Sequence, residues 1–142
     1  MGGTSIRYPI GSCGCYHRAS MIERTFIYFP ERRLAATPAD LGLEFEDLRF
    51  RAADGTRLHG WLVPGGGENP LLWFHGNAGN IGDRVALLCD LHRELGVSIF
   101  ILEYRGYGDS EGTPSEAGLY LDAEAALNTL AERLAIPAGR VV

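Results

Sequence analysis

The sequence predicts an α/β fold, and three observations predict it. Half-apolar segments flank Asp54-Gly55, which is the signature of an antiparallel hairpin. Two short, continuously apolar runs, Leu71–Phe74 and Ile99–Leu102, read as strands covered on both faces. Each run is followed by a glycine-rich loop and then by helical spacing, so strands and helices alternate.

The elements follow in chain order. Phe26-Ile-Tyr-Phe29 is a short apolar run closed by Pro30, and Thr37–Gly42 is turn-rich. Leu43, Phe45, Leu48 and Phe50 alternate with charged residues except for one break, which predicts a strand with a bulge. The return strand spans Thr56–Val63, and Pro64-Gly-Gly-Gly67 reads as a flexible loop. After the strand Leu71–Phe74, Asn80 is placed to cap a helix carrying Ile81, Val85, Leu88 and Leu95, which Gly96 ends. Val97–Leu102 is the next strand. Thr113-Pro-Ser-Glu116 has the form of a capping box with Thr113 at the cap. Tyr120, Ala123, Leu127, Leu130 and Leu134 then form one stripe, and Pro137 blocks continuation. Arg140-Val141-Val142 reads as the opening of a further strand.

Composition bounds the function classes. The 142 residues suit about one domain, and 46% hydrophobic with 22% charged residues argues against a disordered chain. No apolar run approaches the ~20 residues of a membrane span. The net charge of −5 offers no basic field for nucleic acid. All 13 basic residues are arginine, so a P-loop lysine, a Schiff-base lysine and a Ser-Lys dyad are excluded. The three cysteines show no disulfide spacing, which favours a reducing, cytoplasmic location.

Residues 1–20 read as a disordered leader without a secretory h-region, and Met21 is an alternative start. Cys13-Gly-Cys15-Tyr-His17 lacks a fourth metal ligand, so no metal site is expected there. A lipid on Cys13 or Cys15 would find apolar support only from Tyr8, Pro9 and Ile10, a weak basis for peripheral membrane attachment.

Two loops bear on chemistry. His75-Gly-Asn-Ala-Gly-Asn80 joins the carboxyl end of a buried strand to a helix N-terminus, the edge where open α/β sheets bind ligands. Its free amides suit an anion: an acyl-transfer oxyanion, or a phosphate as in a small nucleotide-binding module. The glycine spacing and the absence of lysine weaken the phosphate reading, and a tight turn without ligand is the bland alternative. His75 is expected to fix the loop's shape. The second loop contains Gly108-Asp-Ser110-Glu-Gly112, which matches the pattern of a hydrolase nucleophile. Ser110 is rejected in that role because it lies well past the strand end and before the next helix, whereas a nucleophile elbow joins the two directly. Arg105 and Asp109 are expected to anchor this loop. His59 and His92 are expected to be structural or exposed, and Cys89 to be a small core residue.

Phe26-Ile-Tyr-Phe-Pro30, Asp54-Gly-Thr-Arg-Leu-His-Gly-Trp61, Phe74-His-Gly-Asn-Ala-Gly-Asn80 and Tyr104-Arg-Gly-Tyr-Gly-Asp-Ser-Glu-Gly112 together resemble the N-terminal half of an α/β-hydrolase. The branch is the one related to serine aminopeptidases and to bud-emergence-type and protein-depalmitoylating hydrolases. The resemblance covers residues 21–142, taken as the first part of a single domain. It implies a serine hydrolase of esters, thioesters or amides that uses no cofactor, with a small acyl or peptide substrate. It places oxyanion-hole amides at Asn77 and Ala78, and binding residues at His75, Gly76, Tyr104 and Arg105. It further implies a Gly-x-Ser-x-Gly elbow soon after Val142, then an acid and a histidine. These 142 residues alone are accordingly expected to be inactive. A noncatalytic interaction protein of hydrolase ancestry is the other class, and the oligomeric state is open.

Overall fold

The computed structural model describes residues 26–142. The expected leader, the alternative start at Met21 and the readings of Cys13, Cys15 and His17 lie outside these residues.

Strands β1 (Phe29–Pro30), β2 (Glu46–Arg51), β3 (Arg57–Val63), β4 (Gly66–Phe74), β5 (Ala78–Gly79) and β6 (Val97–Glu103) combine with helices α1 (Val85–Leu95) and α2 (Glu116–Leu134). The main sheet has the order β2-β3-β6-β4, and β1 pairs with β5 in a separate two-stranded ribbon. The β2–β3 and β3–β6 pairs are antiparallel, while β4 and β6 run parallel across the α1 crossover. The hairpin at Asp54-Gly55 forms as expected, with Gly55 at φ 87°.

Strand pleat explains the two cores. In β6, Ile99 and Ile101 face one side and join Trp61, Ile81, Val85, Leu88 and Cys89 under α1. Phe100 and Leu102 face the other side and join Leu62, Leu72, Ala126 and Leu130 under α2. Helices therefore cover both faces, which is why β6 is apolar without alternation. Cys89 is a buried core residue, as expected.

Several expected details are corrected. No bulge interrupts β2, whose register runs regularly from Glu46↔Leu62 to Arg51↔Arg57. The break in alternation is a change of face: Leu43 and Phe45 pack on the α1 side, Leu48 and Phe50 on the α2 side. The Pro64–Gly67 stretch is not simply a loop, because Gly66 already pairs with Val97. A Cβ on Gly65 would lie 2.4 Å from the Val97 carbonyl, so glycine permits this close approach.

The α2 cap is Ser115 rather than Thr113, and its side chain accepts from the Gly118 N–H. The buried face of α2 is Gly118, Asp122, Ala126 and Leu130, with Tyr120 exposed. On α1, Leu95 is exposed and Cys89 takes its place in the buried stripe. Arg140 lies in a 3-10 turn, Ala138–Arg140, not in a strand. Val142 does open a parallel pairing beside β4: its N–H donates to the Pro70 carbonyl at 3.0 Å, and its carbonyl accepts from Leu72 at 2.8 Å. Among the described residues no helix is long and apolar enough to cross a membrane.

Candidate functional site

The His75–Asn80 loop leaves the carboxyl end of β4 and enters a 3-10 turn, Ile81–Arg84, that leads into α1. Asn80 caps this turn: its Oδ1 accepts from Gly82 at 2.9 Å, and the Asp83 carboxylate accepts from the Asn80 N–H at 2.9 Å. Gly79 sits at φ 76°, and a Cβ there would meet the Asp83 carboxylate at 2.2 Å. Only glycine fits both demands.

Two of the loop's carbonyls are tethered to other groups of the fold. Gly76 O is bonded by His75 Nδ1 at 2.7 Å. Asn77 O accepts the Phe29 N–H at 2.9 Å and the Tyr107 hydroxyl at 2.8 Å. Among the described residues every peptide bond is trans, so each N–H points opposite to the carbonyl it follows. The Asn77 N–H is therefore aimed away from His75, and the Ala78 N–H away from Phe29 and Tyr107. Both residues are exposed. The Asn77 side chain is held aside by donating to Ile27 O at 2.6 Å. Two adjacent outward amides at a strand's carboxyl end are suited to hold negative charge.

Beneath the loop, both ring nitrogens of buried His75 are engaged. Nε2 lies 3.1 Å from Glu103 Oε1, and both side chains are fully buried. Glu103 Oε2 accepts from the Ile81 N–H at 3.2 Å. Burial pushes the Glu103 carboxyl up, against the opposing pull of His75. Tyr104 and Tyr107 flank the imidazole at 4.8 and 5.4 Å between ring centres. Burial pushes each of their hydroxyls up to about 12.

Of the expected binding residues, Gly76 is at the surface, and half-buried Tyr104 stacks on exposed Phe74. The side chains of His75 and Arg105 are buried and engaged within the fold. The Arg105 guanidinium is bound by Asp122 at 2.7 Å and by the hairpin residue Asp54 at 2.8 Å. Hydrogen bonding to Arg105 holds the Asp54 carboxyl down at about 2. Asp109 pairs with Arg49 at 2.8 Å.

Ser110 is fully buried. Its Oγ donates to Glu103 O at 2.6 Å and accepts the His59 N–H at 2.9 Å, which leaves it no access to substrate. The sequence reading missed Glu103 and Asp122. The available signal for Glu103 was a carboxylate closing an apolar strand at the ligand edge. For Asp122 it was a charge on the small-residue face of a helix.

No protein-family profile matches the chain. It is similar to the α/β-hydrolase domain-containing protein WAV2 of Arabidopsis thaliana, with 42% identity over 109 residues, 75% of this chain and 35% of that protein. It is 38% identical over 120 residues to the protein bem46 of Schizosaccharomyces pombe, covering 78% of this chain and 40% of that one. The chain thus spans less than half the length of these relatives. A solved esterase of Pyrococcus furiosus superposes with a TM-score of 0.64 at 23% identity, over 73% of this chain and 42% of the esterase. At that identity the likeness concerns the fold.

Proposed function

We propose that this chain, a partial α/β-hydrolase, carries the oxyanion-binding side of a serine-hydrolase site acting on an ester, thioester or amide. The observation that carries the proposal is the outward pair of amides at Asn77 and Ala78, set by the inward tethering of the Gly76 and Asn77 carbonyls. In the reaction, a serine oxygen adds to the substrate carbonyl carbon while a base takes the serine proton. The carbonyl electron pair moves onto oxygen, where the two amides donate to it. Collapse expels the alcohol, thiol or amine, which receives that proton, and water then hydrolyses the acyl-enzyme. The serine, base and acid are supplied from outside the described residues, since Ser110 is sealed and His75 is committed to Glu103. Residues 26–142 by themselves are inactive on this reading.

The test uses an activated ester and a fluorophosphonate probe on the 142-residue chain, and on a graft in which it replaces the matching segment of the P. furiosus esterase. The chain alone should neither turn over nor label, and the graft should turn over. Asn77→Pro removes one donor and should lower the graft's kcat about 10²–10³-fold with little change in KM. Labelling of Ser110, or an unchanged kcat in a folded Asn77→Pro graft, would overturn the reading.

A further inference from the structure

We infer that Glu103 is a positioning residue for the amide pair: one buried carboxylate that fastens both ends of the His75–Asn80 loop. The inference rests on the oxyanion reading for its functional meaning, and on geometry alone for the fastening itself.

The carboxylate's two oxygens are divided between the two ends of the loop. Oε1 meets His75 Nε2 at 3.1 Å, where the chain leaves β4, and Oε2 accepts the Ile81 N–H at 3.2 Å, where the chain enters the 3-10 turn before α1. A third tie joins the next loop, because the Ser110 hydroxyl donates to the Glu103 carbonyl at 2.6 Å. Glycine at 108 makes room for the carboxylate, since a Cβ there would lie 2.2 Å from Oε2.

The fastening reaches the amides through the imidazole. A carbonyl only accepts, so the 2.7 Å contact of His75 Nδ1 with Gly76 O requires a proton on Nδ1. One further proton lies between Nε2 and Oε1, on either partner. The ring is thereby held by Glu103 at one nitrogen and holds Gly76 O with the other. Gly76 O in turn sets the direction of the Asn77 N–H across their shared peptide plane. Glu103 touches no substrate in this arrangement. It acts through His75 and Gly76, as an orienting partner behind the groups that do the binding.

Substitution separates bracing from bulk stability. In Glu103→Gln, the side-chain amide can donate to Nε2 of a His75 protonated at Nδ1, while its carbonyl still accepts from Ile81. Glu103→Ala loses both ties. Leu130→Ala, in the α2-side core and remote from the loop, serves as a control for general destabilisation. Hydrogen–deuterium exchange by mass spectrometry on the full 142-residue chain compares a peptide over residues 75–81 with one over 57–63. Glu103→Ala should speed exchange of the loop peptide at least about tenfold more than that of the β3 peptide. Glu103→Gln should stay within about twofold of the parent in both peptides, and Leu130→Ala should affect the two alike. Equal acceleration of both peptides in Glu103→Ala overturns the inference, as does no acceleration, or a Glu103→Gln chain as loose as Glu103→Ala. Exchange involves no catalysis, so failure here is distinct from failure of the oxyanion reading, which the Asn77→Pro graft decides.

Discussion

His59 is a buried imidazole whose environment opposes its charge. Its Nε2 lies 3.1 Å from Asp47 Oδ1, without hydrogen-bond geometry, and Trp61 packs edge-on at 5.8 Å. Burial pushes its pKa below the ordinary 6.5, with Arg49 acting in the same direction and Asp47 and Asp109 against it. The unfolded chain thus binds a proton at a pH where the fold does not. The stability from a neutral His59 is complete above 6.5 and declines as pH falls through 6.5 toward the lowered value. Melting temperature should drop between about pH 7.5 and 5.5, and His59→Gln should flatten that slope. The comparison isolates His59, because Glu103, whose pKa is raised, contributes with the opposite sign in both proteins. An identical slope in the variant would refute the assignment. Ser110, bonded to the His59 N–H, also shows what residue types alone conceal: the spacing of its motif is complete, yet its hydroxyl is spent inside the fold.

Element identity was legible in the sequence where local pattern and packing agree. The hairpin, the two parallel strands and the α1 crossover follow from apolar runs, Asp54-Gly55 and Asn80, and all of them form. The buried face of α2 was legible only in part: apolar periodicity found Leu130, with Leu127 and Leu134 packed beside it, but it also selected exposed Tyr120 and missed Gly118 and Asp122. Gly118 is on that face because a Cβ would lie 2.6 Å from the Arg105 side chain, and Asp122 is there to receive Arg105. A long-range ion pair leaves no local periodicity to read. The same contact logic separates Thr113 from Ser115. Thr113 fits the capping pattern, but Ser115 makes the bond to Gly118 N at 3.2 Å. In urea denaturation Ser115→Ala should cost about 1 kcal/mol, and Thr113→Ala no more than a few tenths. The reverse order would return the cap to Thr113.

Across the whole molecule, the place of the His75–Asn80 loop between a strand's carboxyl end and a helix start was legible from strand, glycines and cap, whereas its contact with Glu103 was not. Glu103 lies 28 residues from His75 and meets it only because β4 and β6 are neighbours in the sheet. The two sheet borders also differ in a way that predicts behaviour in solution. Along β2, Asp47, Arg49 and Arg51 are exposed and charged, a pattern that discourages strand addition. Along β4 the corresponding residues are Leu71, Leu72, Trp73 and Phe74, with Phe74 42% exposed. Among the described residues, Val142 pairs along this border at Pro70 and Leu72, short of Phe74. An apolar strand border of this kind recruits further strands. The 142-residue chain should therefore show a weight-average mass in sedimentation equilibrium that rises with concentration. Phe74→Lys places a charge on that border and should shift association to at least about tenfold higher concentration. A monomer at every concentration, or association indifferent to Phe74→Lys, would mean that the β4 border is closed by other means.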